Sequence, residues 1–388
     1  MRPSEIPLIP LAAIIALASC GERPMEQKST TKTTALQSTW PDDSLIRPLE
    51  HKHFKHLKQL TFGGDNAEAY WSFGGDMLTF QVTNMAWGDT CDQIRIFDPF
   101  HDDLRQGPPR SLSIARGRNT CSYFLPGDSL VLFASTSADG AQCPPVPERK
   151  PGGKYVWPIY ATYDIYVSDL KGQVRRKLTD VAGYDAEATV SPKGDRIVFT
   201  SMRDGDLDLY TMNIDGSDVK RITNTLGYDG GAFFSPDGTQ LVWRASRPSS
   251  EVEVKEYKDL LAEGLVQPTQ MELFVANADG SDARQITHLG QANWAPYWHP
   301  GGRKILFASN HKTDRGFPFT LYLVDLDGNA LEQVTESDMF DAFPVFSPDG
   351  RYLVFSSNRH GSTPHETDLF LAEWQDLPDS ALEEATDR

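Results

Sequence analysis

The chain has 388 residues, of which 39% are hydrophobic and 11% aromatic, so it can bury a large core. Its formal net charge of −17 at pH 7 argues against nucleic acid as a partner, because binding to phosphates requires a basic surface. An acidic surface favours solubility and biases binding toward cations or basic proteins.

Residues 1–19 have the pattern of a bacterial export signal. Arg2 supplies a positive charge, and residues 6–18 form an apolar run that is too short to span a bilayer. The run ends in Leu17-Ala18-Ser19-Cys20, which resembles the lipobox of bacterial lipoproteins. That resemblance implies cleavage before Cys20 and lipidation of its thiol, and Gly21 in place of Asp favours the periplasmic face of the outer membrane. The alternative is an ordinary signal peptide with a chance cysteine.

Residues 20–48 are predicted to be a flexible tether, because they are rich in Thr, Ser, Lys and Gln and show no apolar periodicity. A flexible segment of this length has an average reach of about 30 Å, which would hold the folded part away from an anchoring membrane. At the other end of the chain, residues 377–388 are predicted to be a short acidic tail.

Six copies of one pattern organise residues 49–376. In each copy a tight turn that ends in glycine lies between two short apolar strands, as in Ser235-Pro236-Asp237-Gly238 and Ser347-Pro348-Asp349-Gly350. The shortest spacing between two successive turn glycines is 44 residues. A repeat of this length with four short strands is typical of a propeller blade. The six turn glycines are Gly75, Gly127, Gly194, Gly238, Gly302 and Gly350.

Two further signals complete the repeat. A third strand of the type Asp208-Leu209-Tyr210 is followed by a turn and by a fourth strand that ends in an aliphatic residue and Thr, as in Ile222-Thr223. The last repeat lacks this fourth strand, whereas Leu60-Thr61 stands before the first repeat. We therefore expect residues 55–61 to form the outer strand of blade six and to close the ring. The predicted fold is an all-β, six-bladed β-propeller of four-stranded antiparallel blades.

These turns and strand ends resemble the PD40, or TolB-like, six-bladed β-propeller family over residues 54–374. The resemblance implies a TolB-like component of the periplasm that binds other envelope proteins. Neither a Gly-x-Ser-x-Gly elbow nor a His-Glu-x-x-His motif occurs in the chain, so the sequence does not point to a hydrolase of those kinds.

The mouth of the central channel is the first candidate site. Two positions before each first strand the aligned repeats always carry Asn or Asp, which either stabilises a turn or forms a polar ring that binds a cation or a basic peptide. Glu68 and Glu187 follow two positions later and are expected to point into or beside the channel. A salt bridge, a metal ion, water or a ligand ammonium would satisfy them there. The six Asx residues are Asn66, Asn119, Asp185, Asp229, Asn293 and Asp341.

The long connections between second and third strands are expected on the same face as the mouth. In blade two, residues 138–162 contain Tyr155, Trp157 and Tyr160, which form either a binding wall or a cap on the apolar edge of their own blade. In blade four, residues 249–264 have the capping and periodicity of a helix.

Cys91, Cys121 and Cys143 are expected to cluster on this face of blades one and two. An exported protein can hold disulfides, and three cysteines leave one thiol unpaired. We expect Cys121 to pair with one of the other two, although the spacing does not choose which. A metal site built from the three thiols is the alternative.

Together these features predict a non-catalytic binding platform of the bacterial cell envelope, monomeric and without a required cofactor. Its partner would be an envelope protein or peptide held at the channel mouth and the loop face. The alternative is a metal-dependent carbohydrate-active enzyme or a glycan-binding propeller, in which Glu68, Glu187 and the Asx ring would hold a divalent cation.

Overall fold

The structure, a computed structural model, describes residues 43–112, 117–147, 154–314, 316–363 and 366–376. These residues form six four-stranded sheets, one two-stranded sheet and one α-helix. The predicted signal peptide, the tether up to residue 42 and the acidic tail lie outside the described residues. Within the described residues, no helix is long and apolar enough to cross a membrane.

The strands follow the order of the repeats. β1 is Phe54–Gln59. Blade 1 contains β2 (Asp65–Trp71), β3 (Leu78–Thr83), β4 (Gln93–Phe97) and β5 (Arg110–Ser111). Blade 2 contains β6 (Asn119–Phe124), β7 (Leu130–Ser135), β9 (Asp164–Asp169) and β10 (Val174–Lys177), with β8 (Trp157–Pro158) in the connection before β9. Blade 3 contains β11 (Asp185–Val190), β12 (Arg196–Ser201), β13 (Asp208–Asn213) and β14 (Lys220–Arg221).

The second half of the ring repeats this arrangement. Blade 4 contains β15 (Asp229–Phe234), β16 (Gln240–Ser246), β18 (Met271–Asn277) and β19 (Arg284–Gln285), with helix α1 (Glu251–Ala262) and β17 (Leu265–Val266) in the connection before β18. Blade 5 contains β20 (Asn293–Trp298), β21 (Lys304–Ser309), β22 (Thr320–Asp325) and β23 (Glu332–Gln333). Blade 6 contains β24 (Asp341–Phe346), β25 (Tyr352–Ser357), β26 (Asp368–Trp374) and β1. Short 3-10 helices span Asp43–Leu45, Pro48–Lys52, Met85–Trp87, Leu104–Gln106 and Ser137–Asp139.

The innermost strands surround a central channel. Each contacts the innermost strand of the next blade, and β24 contacts β2. Neighbouring strands within a blade are antiparallel, as in the pairing of β11 with β12 and of β12 with β13. The predicted six-bladed propeller of four-stranded antiparallel blades is therefore confirmed.

The repeated Ser-Pro-Asp-Gly turns close the hairpins between first and second strands. At one such turn the Ser235 hydroxyl accepts a hydrogen bond from the backbone N–H of Gln240 at 2.9 Å. Gly238 has a φ of 67° and donates its N–H to the Ser235 carbonyl at 2.8 Å. Glycine is favoured here because a left-handed backbone strains residues with a side chain.

A threonine ties each outer strand to the third strand of its blade wherever the aliphatic-Thr signal occurs. Thr223 in blade 3 accepts a hydrogen bond from the backbone N–H of Leu209 at 2.8 Å. Thr61, which follows β1, makes the equivalent contact with Leu369 at 2.8 Å and donates to Asp368 at 2.9 Å. In blade 6, β1 is hydrogen-bonded to β26 in antiparallel register.

Each innermost strand contains a β-bulge. In β11 the register slips between Ala186 and Thr189, and Glu187 between them has a φ of 57°. Bulges of this kind redirect a side chain locally. All six bulge residues have a positive φ, and they are Glu68, Cys121, Glu187, Gly231, Ala295 and Phe343.

The folded body begins earlier than predicted. Ile46 is buried, and Arg47 Nη1 donates a hydrogen bond to the Glu336 carbonyl at 2.6 Å. The predicted end of the tether at residue 48 is therefore wrong, because residues 43–48 pack against the propeller.

A buried ion cluster holds this first segment in place. Glu50 is fully buried and accepts hydrogen bonds from Arg359 at 2.7 and 2.9 Å. Arg359 also reaches Asp341 at 3.1 Å, and its guanidinium lies 5.1 Å from the Phe355 ring centroid. One guanidinium thus bonds to two buried carboxyl groups.

Cys91 and Cys143 form a disulfide with their Cα atoms 6.0 Å apart, and Cys121 is free. The expectation that Cys121 pairs is therefore wrong. Cys121 is a bulge residue at the channel, whereas Cys91 and Cys143 lie on the second-to-third-strand connections of neighbouring blades.

We predict that Arg359→Ala lowers the free energy of unfolding by about 3–5 kcal/mol, because Glu50 and Asp341 would remain buried without a cation. Urea unfolding followed by tryptophan fluorescence measures this change. Arg351→Ala is the control, since the Arg351 side chain is 66% exposed, and it should change stability by no more than about 0.5 kcal/mol. Equal effects of the two substitutions would contradict the prediction.

We also predict that a digest of the full chain without reductant contains one peptide pair linked through Cys91 and Cys143. Cys91→Ser should lower the free energy of unfolding by about 2–5 kcal/mol, because the disulfide closes a loop of 52 residues. In the control variant Cys121→Ser the linked pair should remain. A linked peptide that contains Cys121 would show the pairing to be wrong.

Candidate binding pocket at the channel mouth

A cavity of about 1100 Å³ opens at the end of the channel where the second-to-third-strand connections lie. Innermost strands line it, together with residues of several connections, among them Trp157, Gln267 and Phe317. Most of its surface is apolar, with a few charged groups. Concave sites with this composition commonly bind ligands.

The six bulge residues all line this cavity, and they divide it into two sides. Blades 1–3 contribute Glu68, Cys121 and Glu187, which are polar. Blades 4–6 contribute Gly231, Ala295 and Phe343, which carry no polar side-chain atom.

Glu187 is surrounded by donors. Its carboxylate accepts hydrogen bonds from Arg244 and Thr200, both at 2.9 Å, and from the backbone N–H of Gly231 at 2.7 Å. The Tyr228 hydroxyl donates a further, short hydrogen bond. Burial alone would raise the pKa of Glu187, but Arg244 and these donors outweigh burial and lower it. Glu187 is therefore ionised and paired with Arg244.

Two glycines in β15 make room for this pair. A Cβ at Gly230 would lie 2.3 Å from Glu187 Oε2, and a Cβ at Gly231 would lie 1.9 Å from Arg244 Nη1. Both distances are far below van der Waals contact. The guanidinium of Arg244 thus occupies the space that a side chain fills in the other blades.

Glu68 lies in the same ring with few donors. The Tyr70 hydroxyl is 3.5 Å from its carboxylate, which is the outer limit for a hydrogen bond, and the Cys121 thiol is its other side-chain partner. Burial raises the pKa of Glu68, and the charge of Glu187 adds to the rise. Burial also raises the pKa of the Cys121 thiol well above its usual value, so the thiol stays protonated. Of the three carboxylates that line the pocket, Glu187 pairs with Arg244 and Asp92 with Arg118, whereas Glu68 forms no ion pair among the described residues.

Aromatic side chains close the channel below the ring formed by the six bulge residues. Tyr70 packs against Tyr123 and Phe233 with ring centroids 5.5 and 5.9 Å apart, and Phe233 packs against Tyr297 at 5.0 Å. Tyr70 belongs to blade 1 and Phe233 to blade 4, which lie opposite each other in a six-bladed ring. Because their contact spans the channel, the cavity is a pocket that opens at one face.

An aromatic wall, formed by Trp157, Trp294, Phe319, Phe340 and Phe343, borders the apolar side. Trp294 stacks on Phe319 with ring centroids 4.4 Å apart and lies 5.2 Å from Trp157. Phe340 continues the series at 5.8 Å from Phe319 and 6.2 Å from Phe343. The wall offers ring faces and edges to a ligand.

The long connections of blades 2 and 4 pair with each other. β8 and β17 form the two-stranded sheet, and Lys154 forms an ion pair with Glu256 of α1. The blade-two connection is thus shared with blade 4 and does more than cover its own blade. The three aromatic residues predicted for a binding wall, Tyr155, Trp157 and Tyr160, all line the cavity.

The Asx side chains have a different place from the one predicted for a polar ring. All six are buried, and none lines the cavity. Arg203 donates to Asp185 at 3.1 Å and Arg247 donates to Asp229 at 2.6 Å, whereas Asn293 donates to the backbone at 2.8 Å. These contacts give the Asx side chains a structural role and correct the ring interpretation, because Asp185 and Asp229 pair with arginines and Asn293 bonds to the backbone of Met271. The six residues are Asn66, Asn119, Asp185, Asp229, Asn293 and Asp341.

The positions of the described residues can be compared with the cation site predicted at the mouth. Among the described residues, no three His, Cys, Asp or Glu side chains are grouped so that they could hold a metal ion. Glu68 and Glu187 reach the cavity, but Glu187 is already bonded to Arg244. The metal-dependent alternative therefore stays a prediction.

Arg244 is the main site residue that the sequence analysis missed. It stands opposite Gly230 in the register of β15 and β16. A pair of glycines opposite an arginine was the available signal, because no other blade has a cation at this position. The equivalent residues are Gln81, Ala134, Thr200, Ala308 and Ser356.

A second missed signal concerns the buried Asp residues. Each Asp of the Asx set is followed 18 positions later by the arginine that neutralises it. At the same spacing the three Asn residues are followed by Asn84, Ser137 and His311, none of which is an arginine. The matched charges indicate a structural role, since a buried carboxylate requires a partner.

Comparison with known proteins agrees with this fold. Residues 155–255 match the family model described as the TolB beta propeller domain, PD40. The predicted resemblance to TolB-like propellers is therefore confirmed. Among curated proteins, none matches the chain.

Solved structures with the same fold include a protein assigned as TolB in Agrobacterium tumefaciens, at a TM-score of 0.53 and 19% identity over 81% of this chain and 91% of that one. TolB from Acinetobacter baumannii gives a TM-score of 0.48 and 18% identity over 81% of this chain and 65% of that one. An oligogalacturonate lyase in complex with manganese gives 0.45 and 16% over 84% and 94%. At these identities the likeness concerns the fold.

We predict that Arg244→Ala lowers the free energy of unfolding at pH 7 by about 3–5 kcal/mol, because Glu187 would remain buried without its cation. The lowered pKa of Glu187 stabilises the fold above pH 4.5, and this contribution is lost as the pH falls below that value. The difference between wild type and variant should therefore shrink on acidification. Urea unfolding at a series of pH values measures it.

Arg175→Ala is the matched control, because Arg175 forms an exposed ion pair with Asp169. Its effect should stay within about 1 kcal/mol. A loss for Arg244→Ala that is equally large below pH 4 and at pH 7 would rule out the role given to the Glu187 pair.

Proposed function

We propose that the chain is a non-catalytic, TolB-type binding protein of the bacterial cell envelope. It holds an extended peptide segment of another envelope protein in the pocket at the channel mouth. The pocket carries this proposal, because it is deep, largely apolar, closed below by aromatic residues and open on the face that bears the long connections.

The shape of the pocket suits side chains presented by a peptide. Large side chains that enter well-packed pockets provide most of the binding energy at protein interfaces. The aromatic wall offers such contacts, while the Glu187–Arg244 pair offers polar groups within the pocket. The blades are rigid, so little ordering entropy opposes binding.

Two features support an envelope location. The lipobox pattern at Cys20 implies export and a lipid anchor on the periplasmic face of the outer membrane. The Cys91–Cys143 disulfide suits an oxidising compartment such as the periplasm. The likeness to TolB propellers adds the expectation of a periplasmic protein-binding role for a monomer.

A glycan-binding protein is the second candidate. The aromatic wall favours it as well, because ring faces also pack against the apolar faces of sugars. A glycan ligand would need no metal and no acidic partner.

The test is capture of a partner on immobilised full chain, with a photo-cross-linker at Phe317 to identify the bound segment. We expect a Trp157→Ala/Phe317→Ala variant to lose the captured protein, because both side chains line the pocket. A synthetic peptide of the cross-linked segment should bind the variant at least tenfold more weakly than wild type.

Val174→Ala is the control, since Val174 is exposed on the outer strand β10 and should leave binding unchanged. Equal binding of the peptide by wild type and pocket variant would refute the proposal. Binding of purified cell-envelope glycans in place of protein would establish the second candidate.

A further inference from the structure

We propose that Glu68 is the specificity-determining residue of the pocket and selects a peptide segment that carries a cationic group, a lysine, an arginine or an amino-terminal ammonium, beside an apolar side chain. This inference rests on the proposed function and names the chemistry of the ligand.

The charges around the pocket leave one position for a ligand cation. Arg244 pairs with Glu187, and Arg118 forms a short ion pair with Asp92. Lys154 lines the cavity as well, but it pairs with Glu256 of α1. Among the described residues, Glu68 is the carboxylate of this cavity that has no cationic partner.

A structural role does not account for Glu68. Glu187, its counterpart in blade 3, accepts well-formed hydrogen bonds from two neighbouring strands. Glu68 has only the 3.5 Å contact with Tyr70 and the weakly polar Cys121 thiol, and it has a strained φ of 53°. A carboxylate held in a mostly apolar pocket without these bonds destabilises the free protein and is satisfied when a ligand brings a cation.

The neighbouring surface favours the same ligand. β2, which carries Glu68, contacts β24, which carries Phe343 of the aromatic wall. A cation held at Glu68, on the polar side of the pocket, therefore lies next to the blade where the aromatic wall begins, and ring faces attract cations. An apolar side chain next to the cation would then pack on the wall.

The first experiment selects binders from a displayed library of random 12-residue peptides on the immobilised full chain. Selected peptides should contain Lys or Arg next to an aromatic or aliphatic residue. A synthetic peptide from the selection should bind Glu68→Gln at least tenfold more weakly than wild type. Replacing its basic residue by norleucine should weaken binding to wild type equally and leave binding to Glu68→Gln unchanged.

Glu263→Gln is the matched control, because it makes the same change of net charge at an exposed position just after α1. Its affinity for the peptide should equal that of wild type. Glu68→Gln should keep a native melting curve, because the substitution removes a charge that has no ion-pair partner in the free protein.

The pH dependence of peptide affinity is the second readout. Only the ionised carboxylate pairs with a cation, so affinity should strengthen as the pH rises above 4.5 through the raised pKa of Glu68. Glu68→Gln should not show this rise. The charged or titratable groups that act on Glu68 are Tyr70, Asp92, Cys121, Glu187 and Arg244. Burial raises the pKa of Tyr70 and of the Cys121 thiol well above their usual values, and the pKa of Glu187 is lowered, so these three do not titrate in the range of Glu68.

The outcomes separate this inference from the proposed function. Peptides that lose affinity for the Trp157→Ala/Phe317→Ala variant but bind Glu68→Gln as tightly as wild type would overturn the role of Glu68 and leave peptide binding intact. Selection of neutral or acidic peptides would do the same. A library that yields no peptide dependent on the pocket would overturn both.

Discussion

A β-bulge in every innermost strand sets the composition of the site. The bulge residue has a positive φ, and in all six blades it lines the cavity. Five of the six positions carry a side chain despite the strain that this backbone imposes. The bulges therefore direct specific side chains toward the channel. At the sixth position, Gly231, the missing side chain admits the guanidinium of Arg244 from the neighbouring strand.

This arrangement shifts the pKa values of two carboxyl groups in the same ring of bulge residues in opposite directions. Glu187 faces the blade with the two glycines and so acquires Arg244, which keeps it ionised. Glu68 has no such neighbour, and burial raises its pKa. The difference comes from the residues that each carboxylate meets across the blade boundary, since both have the same place in the repeat.

The closed floor and the aromatic wall turn a channel into a pocket. Tyr70 and Phe233 meet across the ring, so a ligand enters from one face. The pairing of β8 with β17 then joins the connections of two blades that are not adjacent in sequence, and it places Trp157 beside Trp294. Recognition thus depends on loops held by a rigid scaffold.

Much of the fold could be predicted because each blade is formed mainly by one short, contiguous stretch of sequence. The Ser-Pro-Asp-Gly turn and the terminal threonine act through hydrogen bonds within one blade, such as those of Ser235 and Thr223. The pairing of cysteines could not be predicted in this way. Cys91 and Cys143 are 52 residues apart, and only the stacking of two blades brings their connections together.

The sequence by itself determined the number of blades, the order of their strands and the presence of Glu68, Glu187 and Trp157 at the mouth, because turns, strand periodicity and repeat spacing are local properties. The tertiary structure alone decided that the Asx residues are buried, that Arg244 pairs with Glu187 and that Glu68 keeps no cation. Arg244 and Glu187 are 57 residues apart and belong to different blades. Such partners depend on which side chains meet across the blade boundaries and the channel, which local patterns do not specify.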